Sequence, residues 1–314
     1  MTTLARTDVV VALGDVEPEL VRGHLPESAT FVSRPTSDDL QRATGAIARA
    51  DALVDSDLLD RAPLLRVVAR TGVGVDRVDV GEATRRGIAV VVTPGAGTHA
   101  VAEGTLAMTL HLVKRLRAAT ACVAEGRWAE RGDISMGDLD GSTLGIVGYG
   151  RIGRRVAHLA RAFGMTVLAY DPYVEGDPEL VTLEELRRRA DVVTLHLPLT
   201  PETHHLVDAE FLAGLQPGTI LVNCGRGGLL DLGAAHAALD DGQLAGLGLD
   251  VFETEPPEHH PVFDRDDVVL APHLMGLSAG ATRATFAAAA QGVADVLAGR
   301  PPAAVANPEW HPAT

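Results

Sequence analysis

The chain has 314 residues, of which 46% are apolar, and its formal net charge at pH 7 is −15. This length predicts about two domains, and the apolar content excludes a chain that is disordered throughout. The negative charge argues against nucleic-acid and anionic-membrane partners because both require a basic surface, although a few local arginines can still bind a small anion.

The cysteines and the N-terminus set further limits. Cys122 and Cys224 are the two cysteines, and they lack the spacing of a disulfide framework or a metal site. The segment Met1 to Asp8 does not have the charged and apolar regions of a signal peptide. No apolar run approaches the ~18 residues needed to span a bilayer. We therefore expect a soluble, cytoplasmic protein.

Short apolar runs alternate with helical patterns along most of the chain. The runs are rich in β-branched residues, which is typical of parallel strands that are buried on both faces. Strands are predicted at residues 8–13, 67–70, 88–92, 144–147, 166–170, 192–195, 219–222, 244–249 and 268–270. Helices are predicted at residues 152–163, 183–190 and 232–239. This alternation predicts an α/β fold with doubly wound parallel sheets.

Two longer helical patterns indicate how the domains are organised. One covers His99 to Glu125, and the other covers Ala279 to Ala298 and ends at a Gly-Arg-Pro-Pro stop signal. We interpret both as connections between two domains. The first domain is then discontinuous, with residues 1–97 and 284–314, and the second comprises residues 98–283. The Pro/Ala-rich segment 301–314 is expected either to form an extended tail packed on the first domain or to be partly loose.

A glycine pattern at a predicted strand-to-helix turn is the strongest local signal. It follows the strand 144–147 and consists of Gly148, Tyr149, Gly150, Arg151, Ile152 and Gly153. The first glycine permits the tight turn, the second lets a pyrophosphate approach the backbone, and the third lets the helix pack closely on the strand. The helix N-terminus then offers N–H groups and a positive dipole end to phosphates. The pattern predicts a Rossmann domain that binds a dinucleotide.

An acid at the end of the next strand indicates which dinucleotide is bound. Asp171 lies 18 positions after Gly153. This is close to the roughly 20 residues expected for the carboxylate that binds the adenosine ribose diol. A carboxylate there repels a 2′-phosphate, and no arginine follows within residues 172–177. We therefore predict NAD as the cofactor.

Three polar residues directly follow predicted strands of the same domain. They are Arg226, Glu255 and His273, and side chains at the carboxyl ends of parallel strands can converge on one cleft. An arginine can grip a carboxylate and polarise a carbonyl, and a histidine can donate a proton. A glutamate can orient that histidine. Each residue alone also fits an ordinary structural role, but together they predict reduction of a 2-oxo acid.

The motifs together resemble the D-isomer-specific 2-hydroxyacid dehydrogenases. The matching segments cover nearly the whole chain in the right order, at residues 70–79, 94–103, 144–153, 196–203, 223–227, 250–256, 272–278 and 307–308. The resemblance implies an NAD-binding Rossmann domain inserted in a flavodoxin-like substrate domain. It also implies a homodimer that forms largely through residues 101–128.

The resemblance further implies roles for individual residues. Arg226, Glu255 and His273 would be catalytic, and Asp250 would receive the nicotinamide carboxamide. The substrate would be bound by Arg70, Thr71, Gly72, Val73 and Gly74, with the backbone N–H groups of this loop holding its carboxylate. The cofactor would be bound by Gly148, Tyr149, Gly150, Arg151, Ile152, Gly153, Asp171, Thr203, Cys224, Asp250 and Gly276. No metal is implied.

The substrate stays open between two types of acid. Phosphoglycerate dehydrogenases usually carry an arginine that meets the substrate phosphate where this chain has Asp55 and Asp57. Acids there would repel a phosphate. Arg70 and Arg77 lie near the same cleft, however, so 3-phosphoglycerate and a smaller acid of the glyoxylate or hydroxypyruvate type both remain.

Two other functions are also compatible with this family. One is an NAD-sensing binding protein, like the related corepressors, whose output is a protein partner. The other is a formate dehydrogenase, but those enzymes usually have glutamine where this chain has Glu255. Cys224 lies close to Arg226 in sequence, and we do not expect it to act as a redox thiol.

Overall fold

The computed structural model of the chain describes residues 7–311, which fall into two compact units. The first unit contains the residues up to Gly97 together with those from Ala279 onwards, and the second runs from Thr98 to Ser278. Residues 1–6, which belong to the segment without signal-peptide features, and residues 312–314, which end the predicted tail, lie outside the described residues.

Parallel strands and helices alternate in both units. The strands are β1 (Val9–Leu13), β2 (Thr30–Val32), β3 (Gly45–Ala48), β4 (Val67–Arg70), β5 (Ala89–Val91), β6 (Thr143–Val147), β7 (Thr166–Tyr170), β8 (Val192–Leu195), β9 (Thr219–Asn223), β10 (Leu244–Leu249) and β11 (Val268–Leu270). The α-helices are α1 (Ser37–Arg42), α2 (Ser56–Arg61), α3 (Val80–Arg85), α4 (Thr98–Val113), α5 (Leu116–Ala124), α6 (Arg151–Ala162), α7 (Leu183–Arg189), α8 (Ala209–Ala213), α9 (Leu232–Asp240) and α10 (Ala279–Leu297).

The first unit is built on a five-stranded sheet in which every pairing is parallel. Its strand order is β2-β1-β3-β4-β5, which is the flavodoxin-like order. Strands β3, β4 and β5 are buried along their whole length because apolar residues cover both faces. On one face the core includes Phe286, Ala290 and Val293 of α10. The opposite face packs against apolar residues of the helices α1 to α3, such as Leu40, Leu59 and Ala83.

The C-terminal tail extends this first sheet, as predicted. Val305 pairs antiparallel with Val91 of β5, and the side chain of Asn307 is buried beside the same strand. Its Oδ1 atom accepts a hydrogen bond from Val90 N at 2.9 Å, while its Nδ2 atom donates to Ile88 O at 2.9 Å. One buried amide thus attaches the tail to the edge of the sheet.

The second unit contains a six-stranded parallel sheet in the order β11-β10-β9-β8-β6-β7. The chain winds outwards from β6 to β7 and then continues on the other side with β8. The direction of winding therefore reverses between β6 and β8, and ligands of doubly wound sheets bind outside the carboxyl ends of the strands at such a point. The predicted fold class, two doubly wound parallel-sheet domains, is confirmed.

Several local predictions were wrong. The strands β2 and β3 were missed, because β2 has three residues and β3 has the sequence Gly-Ala-Ile-Ala, with little β-branched character. The helix predicted from 99 to 125 is broken into α4 and α5 at Arg115, whose φ of 47° is left-handed. The guanidinium of Arg115 donates to Ala245 O at 3.0 Å, a tertiary contact that the sequence pattern does not contain.

The second domain boundary also differs from the predicted one. Residues 279–283 were assigned to the second domain, but α10 belongs as a whole to the first unit, because its apolar face packs on the five-stranded sheet. Among the described residues, no helix combines the length and the apolar character that crossing a membrane requires.

Candidate active site

The glycine loop connects β6 to α6 at the point where the winding of the second sheet reverses. Gly148 has a φ of 98°, and a Cβ atom there would lie 2.7 Å from the backbone carbon of His196. A Cβ atom on Gly153 would overlap the carbonyl oxygen of Gly148. At Gly150, by contrast, a Cβ atom would meet nothing within 4 Å. The first and third glycines thus serve the turn and its packing, while the second leaves space open beside the first turn of α6.

Asp171 is fixed at the end of β7 beside this loop. Its Oδ2 atom accepts the N–H of Tyr149 at 2.8 Å, and its Oδ1 atom accepts the N–H of Tyr173 at 2.9 Å. Each carboxylate oxygen retains a further lone pair, so the group can still accept hydrogen bonds from a ligand. The carboxylate is therefore positioned next to the space that Gly150 leaves open.

The side chain of Tyr149 is occupied within the unit. It is 3% exposed, its hydroxyl is hydrogen-bonded to Glu179, and Arg154 lies over its ring at 4.5 Å. Burial raises the pKa of its hydroxyl. Among the predicted cofactor contacts, Tyr149 thus has no side-chain group available. Arg151 and Ile152 follow as the first residues of α6, and Arg151 is exposed.

Arg226 begins the turn that follows β9, and the preceding strand residue holds that turn. Asn223 is fully buried; its Oδ1 atom accepts Gly225 N at 3.0 Å, and its Nδ2 atom donates to Arg226 O at 2.9 Å. A Cβ atom on Gly227 would overlap the backbone of Phe252 and Glu253, so only glycine permits this approach of two loops. Asn223 and Gly227 were not predicted to be site residues, although both lie in the Asn-Cys-Gly-Arg-Gly motif.

Glu255 and His273 meet directly. The Nδ1 atom of His273 lies 2.8 Å from Oε2 of Glu255, and the other carboxylate oxygen accepts the N–H of Phe252 at 3.1 Å. The side chains of His273 and Glu255 are 44% and 38% exposed, so the pair faces an accessible surface. His273 has a left-handed φ of 56°, which is unusual for a residue other than glycine. Such strain is typical of functional positions.

Asp250 supports the backbone that carries His273. It is 2% exposed, and its carboxylate accepts the N–H of Leu274 at 2.8 Å and that of Met275 at 3.1 Å. Its carbonyl oxygen accepts the N–H of His273 at 2.7 Å. Burial raises the pKa of the Asp250 carboxyl, while these N–H donors lower it. A Cβ atom added at Gly276, in the same turn, would lie 3.5 Å from a methyl group of Val101.

Two further predicted cofactor contacts differ in their accessibility. The hydroxyl of Thr203 accepts from Thr200 N at 2.8 Å and donates to Pro198 O at 2.8 Å, so it shapes a partly exposed loop. Cys224 is buried, with its sulfur 3.9 Å from that of Met108. Burial raises the pKa of its thiol to about 12. A thiol with so high a pKa is protonated at neutral pH, and the absence of a redox role stays a prediction.

The predicted substrate loop lies in the first unit, after β4. Within residues 7–311 the N–H groups of Gly72, Val73 and Gly74 have no intramolecular acceptor, and Val73 is 55% exposed. The neighbouring Thr71 is held by its N–H and hydroxyl to Ala48 O, at 3.0 and 3.3 Å. The loop thus offers several N–H groups to an anion.

Arg70 differs from the other residues predicted to bind substrate. It is 5% exposed, and its guanidinium donates to the carbonyl oxygens of Arg49, of Ala50 at 3.2 Å and of Gly74 at 3.2 Å. These contacts join the loop after β4 to the segment that follows β3.

Most of the second unit matches the model of a known protein family. Residues 106–275 match the model of the "D-isomer specific 2-hydroxyacid dehydrogenase, NAD binding domain". This segment includes the glycine loop, Asp171, Arg226, Glu255 and His273. The predicted cofactor and the resemblance to this family are therefore both confirmed.

Individual relatives are similar over most of the chain. It is 43% identical over 274 residues to the D-3-phosphoglycerate dehydrogenase of Mycobacterium tuberculosis, an alignment that covers 83% of this chain and 52% of that protein. The chain thus spans about half the length of the curated relatives it matches.

Solved structures match nearly their whole length. The TT0316 protein of Thermus thermophilus superposes with a TM-score of 0.84 at 36% identity, covering 95% of this chain and 99% of that one. D-lactate dehydrogenase from Aquifex aeolicus, solved with NAD and lactic acid, gives a TM-score of 0.80 at 29% identity, covering 93% and 96%.

Proposed function

Because the chain belongs to the D-isomer specific 2-hydroxyacid dehydrogenase family, we propose that it transfers a hydride between NAD and a small 2-hydroxy or 2-oxo acid. The contact between His273 Nδ1 and Glu255 Oε2 carries this proposal. This contact supplies an oriented proton donor at the carboxyl ends of the strands of the second sheet, and the glycine loop follows a strand of the same sheet.

The histidine–glutamate pair accounts for the proton. Since Nδ1 of His273 faces Glu255, the Nε2 atom remains to donate a proton to the carbonyl oxygen of a 2-oxo acid as the alcohol forms. In the reverse direction, Nε2 accepts the hydroxyl proton. The carboxylate of Glu255 stabilises the imidazolium and is itself fixed by the N–H of Phe252. Asp250 holds the turn in place through Leu274 and Met275.

Arg226 supplies the positive charge. Its guanidinium can grip the carboxylate of the acid and polarise the carbonyl that is reduced. Asn223 holds the backbone of Gly225 and Arg226 through two hydrogen bonds. Gly227 lets this turn lie against the loop that leads to Glu255. These contacts support a site in which Arg226 comes from the end of β9 and His273 from the end of β11, with Glu255 after the intervening strand β10.

The glycine loop and Asp171 fit NAD. The open space beside Gly150, at the N-terminus of α6, fits a pyrophosphate, and Asp171 can accept hydrogen bonds from a ribose diol. NADH bound here supplies the hydride for the carbonyl carbon. The negative charge of Asp171 disfavours the 2′-phosphate of NADP, which supports NAD as the working cofactor.

The substrate is a short acid that does not depend on a phosphate group. The similarity to relatives named D-3-phosphoglycerate dehydrogenase favours 3-phosphoglycerate as the substrate. Two observations argue against 3-phosphoglycerate. The Asp55 carboxylate caps α2 by accepting Leu58 N at 2.9 Å, and the guanidinium of Arg70 donates hydrogen bonds to backbone carbonyl groups. Asp55 and Arg70 thus offer no cation to a phosphate, and of the two arginines considered only the exposed Arg77 could meet one. We therefore favour an acid of the glyoxylate or hydroxypyruvate type.

We also propose a homodimer that forms through α5 and the segment following it. Four large apolar side chains are exposed there: Leu116 at 45%, Val123 at 63%, Trp128 at 62% and Met136 at 51%. Exposed apolar side chains that cluster along one arm are typical of a surface covered by another molecule.

The function is tested by following NADH oxidation with glyoxylate, hydroxypyruvate and 3-phosphohydroxypyruvate. We expect turnover with at least one acid and its loss in the variants His273→Ala and Arg226→Ala. His259→Ala, which removes another exposed histidine paired with a carboxylate, serves as the control. NADH binding without turnover of any of these acids would contradict the proposal and favour an NAD-sensing protein.

A further inference from the structure

Two histidines and a glutamate form a compact group separate from the proposed catalytic residues. The Nε2 atom of His204 lies 3.2 Å from Oε1 of Glu253, and the Nε2 atom of His205 lies 3.5 Å from Oε2. The two imidazole rings are stacked, with centroids 4.0 Å apart. One ligand atom from each residue lies within 4.8 Å of the others, so all three can reach a single point.

The separations and the residue types fit a transition-metal ion. Zn²⁺ binds imidazole and carboxylate ligands at about 2.0–2.1 Å, which puts neighbouring ligands of a tetrahedron about 3.3 Å apart. The distance of 3.2 Å between His204 Nε2 and Glu253 Oε1 agrees with this spacing, and one ligand atom from each of the three residues lies within 4.8 Å of the others. The three side chains are 35–58% exposed, which leaves room for a water molecule as a fourth ligand. We propose that His204, His205 and Glu253 bind one divalent ion of the zinc class.

The backbone already holds the two histidines in place. His204 N donates to Thr200 O at 2.9 Å, and His205 N donates to Gly228 O at 2.7 Å. His205 has a left-handed φ of 49°. The side chains of His204 and His205 therefore do not point to opposite sides, as consecutive side chains of an extended strand do. An ion that binds here needs little rearrangement of the main chain, and this favours affinity.

The position of the group indicates what a bound ion does. The histidines follow Thr203, Glu253 lies two residues before Glu255, and the backbone of Phe252 and Glu253 abuts Gly227 in the turn after Arg226. Three loops therefore meet at this point. An ion held by both histidines and the glutamate ties the loop after Thr203 to the loop that carries Glu255.

Direct binding measurements test the proposal without relying on turnover. The chain is freed of any purification tag and of metal by chelation, and is then titrated with Zn²⁺ by calorimetry and with Co²⁺ by visible absorption. We expect one ion per chain and the absorption of four-coordinate Co²⁺. The variants His204→Ala, His205→Asn and Glu253→Gln should each weaken binding about 10-fold or more. Asparagine is chosen at His205 because it tolerates a left-handed φ.

The control variant is His259→Ala, whose imidazole lies 3.2 Å from Asp264 and is 69% exposed. It should bind Zn²⁺ as tightly as the parent chain does. Circular dichroism identifies any variant that fails to fold, and the remaining variants then decide the result. Absence of Zn²⁺ binding by the parent chain, or equal binding by the folded site variants, would overturn the proposal.

Hydrogen exchange tests whether a bound ion joins the loop after Thr203 to the loop that carries Glu255. Zn²⁺ should slow the exchange of the amides in residues 203–206 and 251–255 in the parent chain, and it should leave the Glu253→Gln variant unchanged. Binding of the ion without slower exchange in these loops would show that it does not join them. Each result is independent of whether the chain turns over a 2-oxo acid, so this proposal and the proposed function can fail separately.

Discussion

The Nδ1 atom of His273 lies 2.8 Å from Oε2 of Glu255, although 18 residues separate them in the chain. The two residues follow β11 and β10, which are neighbouring parallel strands, so the sheet itself brings their loops together. The backbone N–H of Phe252 holds the second carboxylate oxygen. The orientation of the imidazole is thus set by one carboxylate that is itself held in place.

Glu255→Gln should retain the shape of this contact but lose the negative charge. Since the imidazolium that forms during turnover is then less well stabilised, we expect kcat/KM for the 2-oxo acid to fall about 100-fold. Steady-state NADH oxidation measures this loss. The affinity for NADH, followed by fluorescence, should stay unchanged, and a variant with full activity would exclude Glu255 from the mechanism.

Asn223 should act as a positioning residue for Arg226. Asn223→Ala leaves the partly buried N–H of Gly225 without its acceptor, which should lower the free energy of unfolding by about 1 kcal/mol. Because the Arg226 turn is then loosened, the KM for the acid should rise while the KM for NADH stays the same.

Asn223→Asp provides the matched comparison for this position. It keeps the acceptor for Gly225 N and loses the donor to Arg226 O, so its KM for the acid should lie between those of the parent and the alanine variant. Parallel changes in both KM values would indicate a general loss of structure instead.

Asp171→Asn should change the choice of cofactor. Asparagine retains an acceptor for one of the two N–H donors, Tyr149 and Tyr173, but it removes the charge that repels a 2′-phosphate. We expect the preference for NADH over NADPH, measured as the ratio of kcat/KM values, to fall about 10-fold, which corresponds to roughly 1.4 kcal/mol. An unchanged ratio would mean that Asp171 does not contact the adenosine ribose.

The exposed apolar arm should decide the oligomeric state. Trp128→Ser combined with Val123→Asp removes two side chains that are more than half exposed and adds a charge, which should convert the proposed dimer to a monomer. Light scattering measures the mass directly. Phe163→Ser, at the end of α6, removes an aromatic side chain that is 43% exposed outside the arm, and it should leave the mass unchanged.

The elements that the sequence predicted well are those whose signals are local. Strands such as 192–195 and 244–249 are runs of apolar residues with turn signals at their ends, and their bounds agree with β8 and β10. Glu255 and His273 could be paired because parallel strands end at one edge of a sheet. The fold and this pair therefore follow from short-range patterns combined with general rules of topology.

Other features were missed because they depend on contacts between distant residues. The break at Arg115 is accompanied by a hydrogen bond to Ala245, 130 residues away. Burial of the Arg70 guanidinium against the carbonyl groups of Arg49 and Ala50 has no counterpart in the local pattern. The need for glycine at 227 likewise arises from the backbone at Phe252. Composition and periodicity contain none of this information.

His196 should make the chain sensitive to acid. Both of its ring nitrogens are buried without a hydrogen-bond partner among the described residues, although the residue as a whole keeps some exposed surface. This burial lowers the pKa of the imidazole from 6.5 to about 4. In the unfolded chain the ring has its ordinary pKa, so as the pH falls the unfolded chain takes up the proton first.

Stability should therefore be complete above about pH 6.5 and should decrease as the pH falls towards 4, by roughly 3 kcal/mol in total from this group. Urea unfolding across this pH range measures the loss. In His196→Leu the ring is absent, so the free energy of unfolding should fall less steeply over the same range. His158→Leu, which removes an exposed histidine of α6, is the control and should keep the slope of the parent chain. If the parent and His196→Leu have the same slope, protonation of this buried ring does not drive acid unfolding.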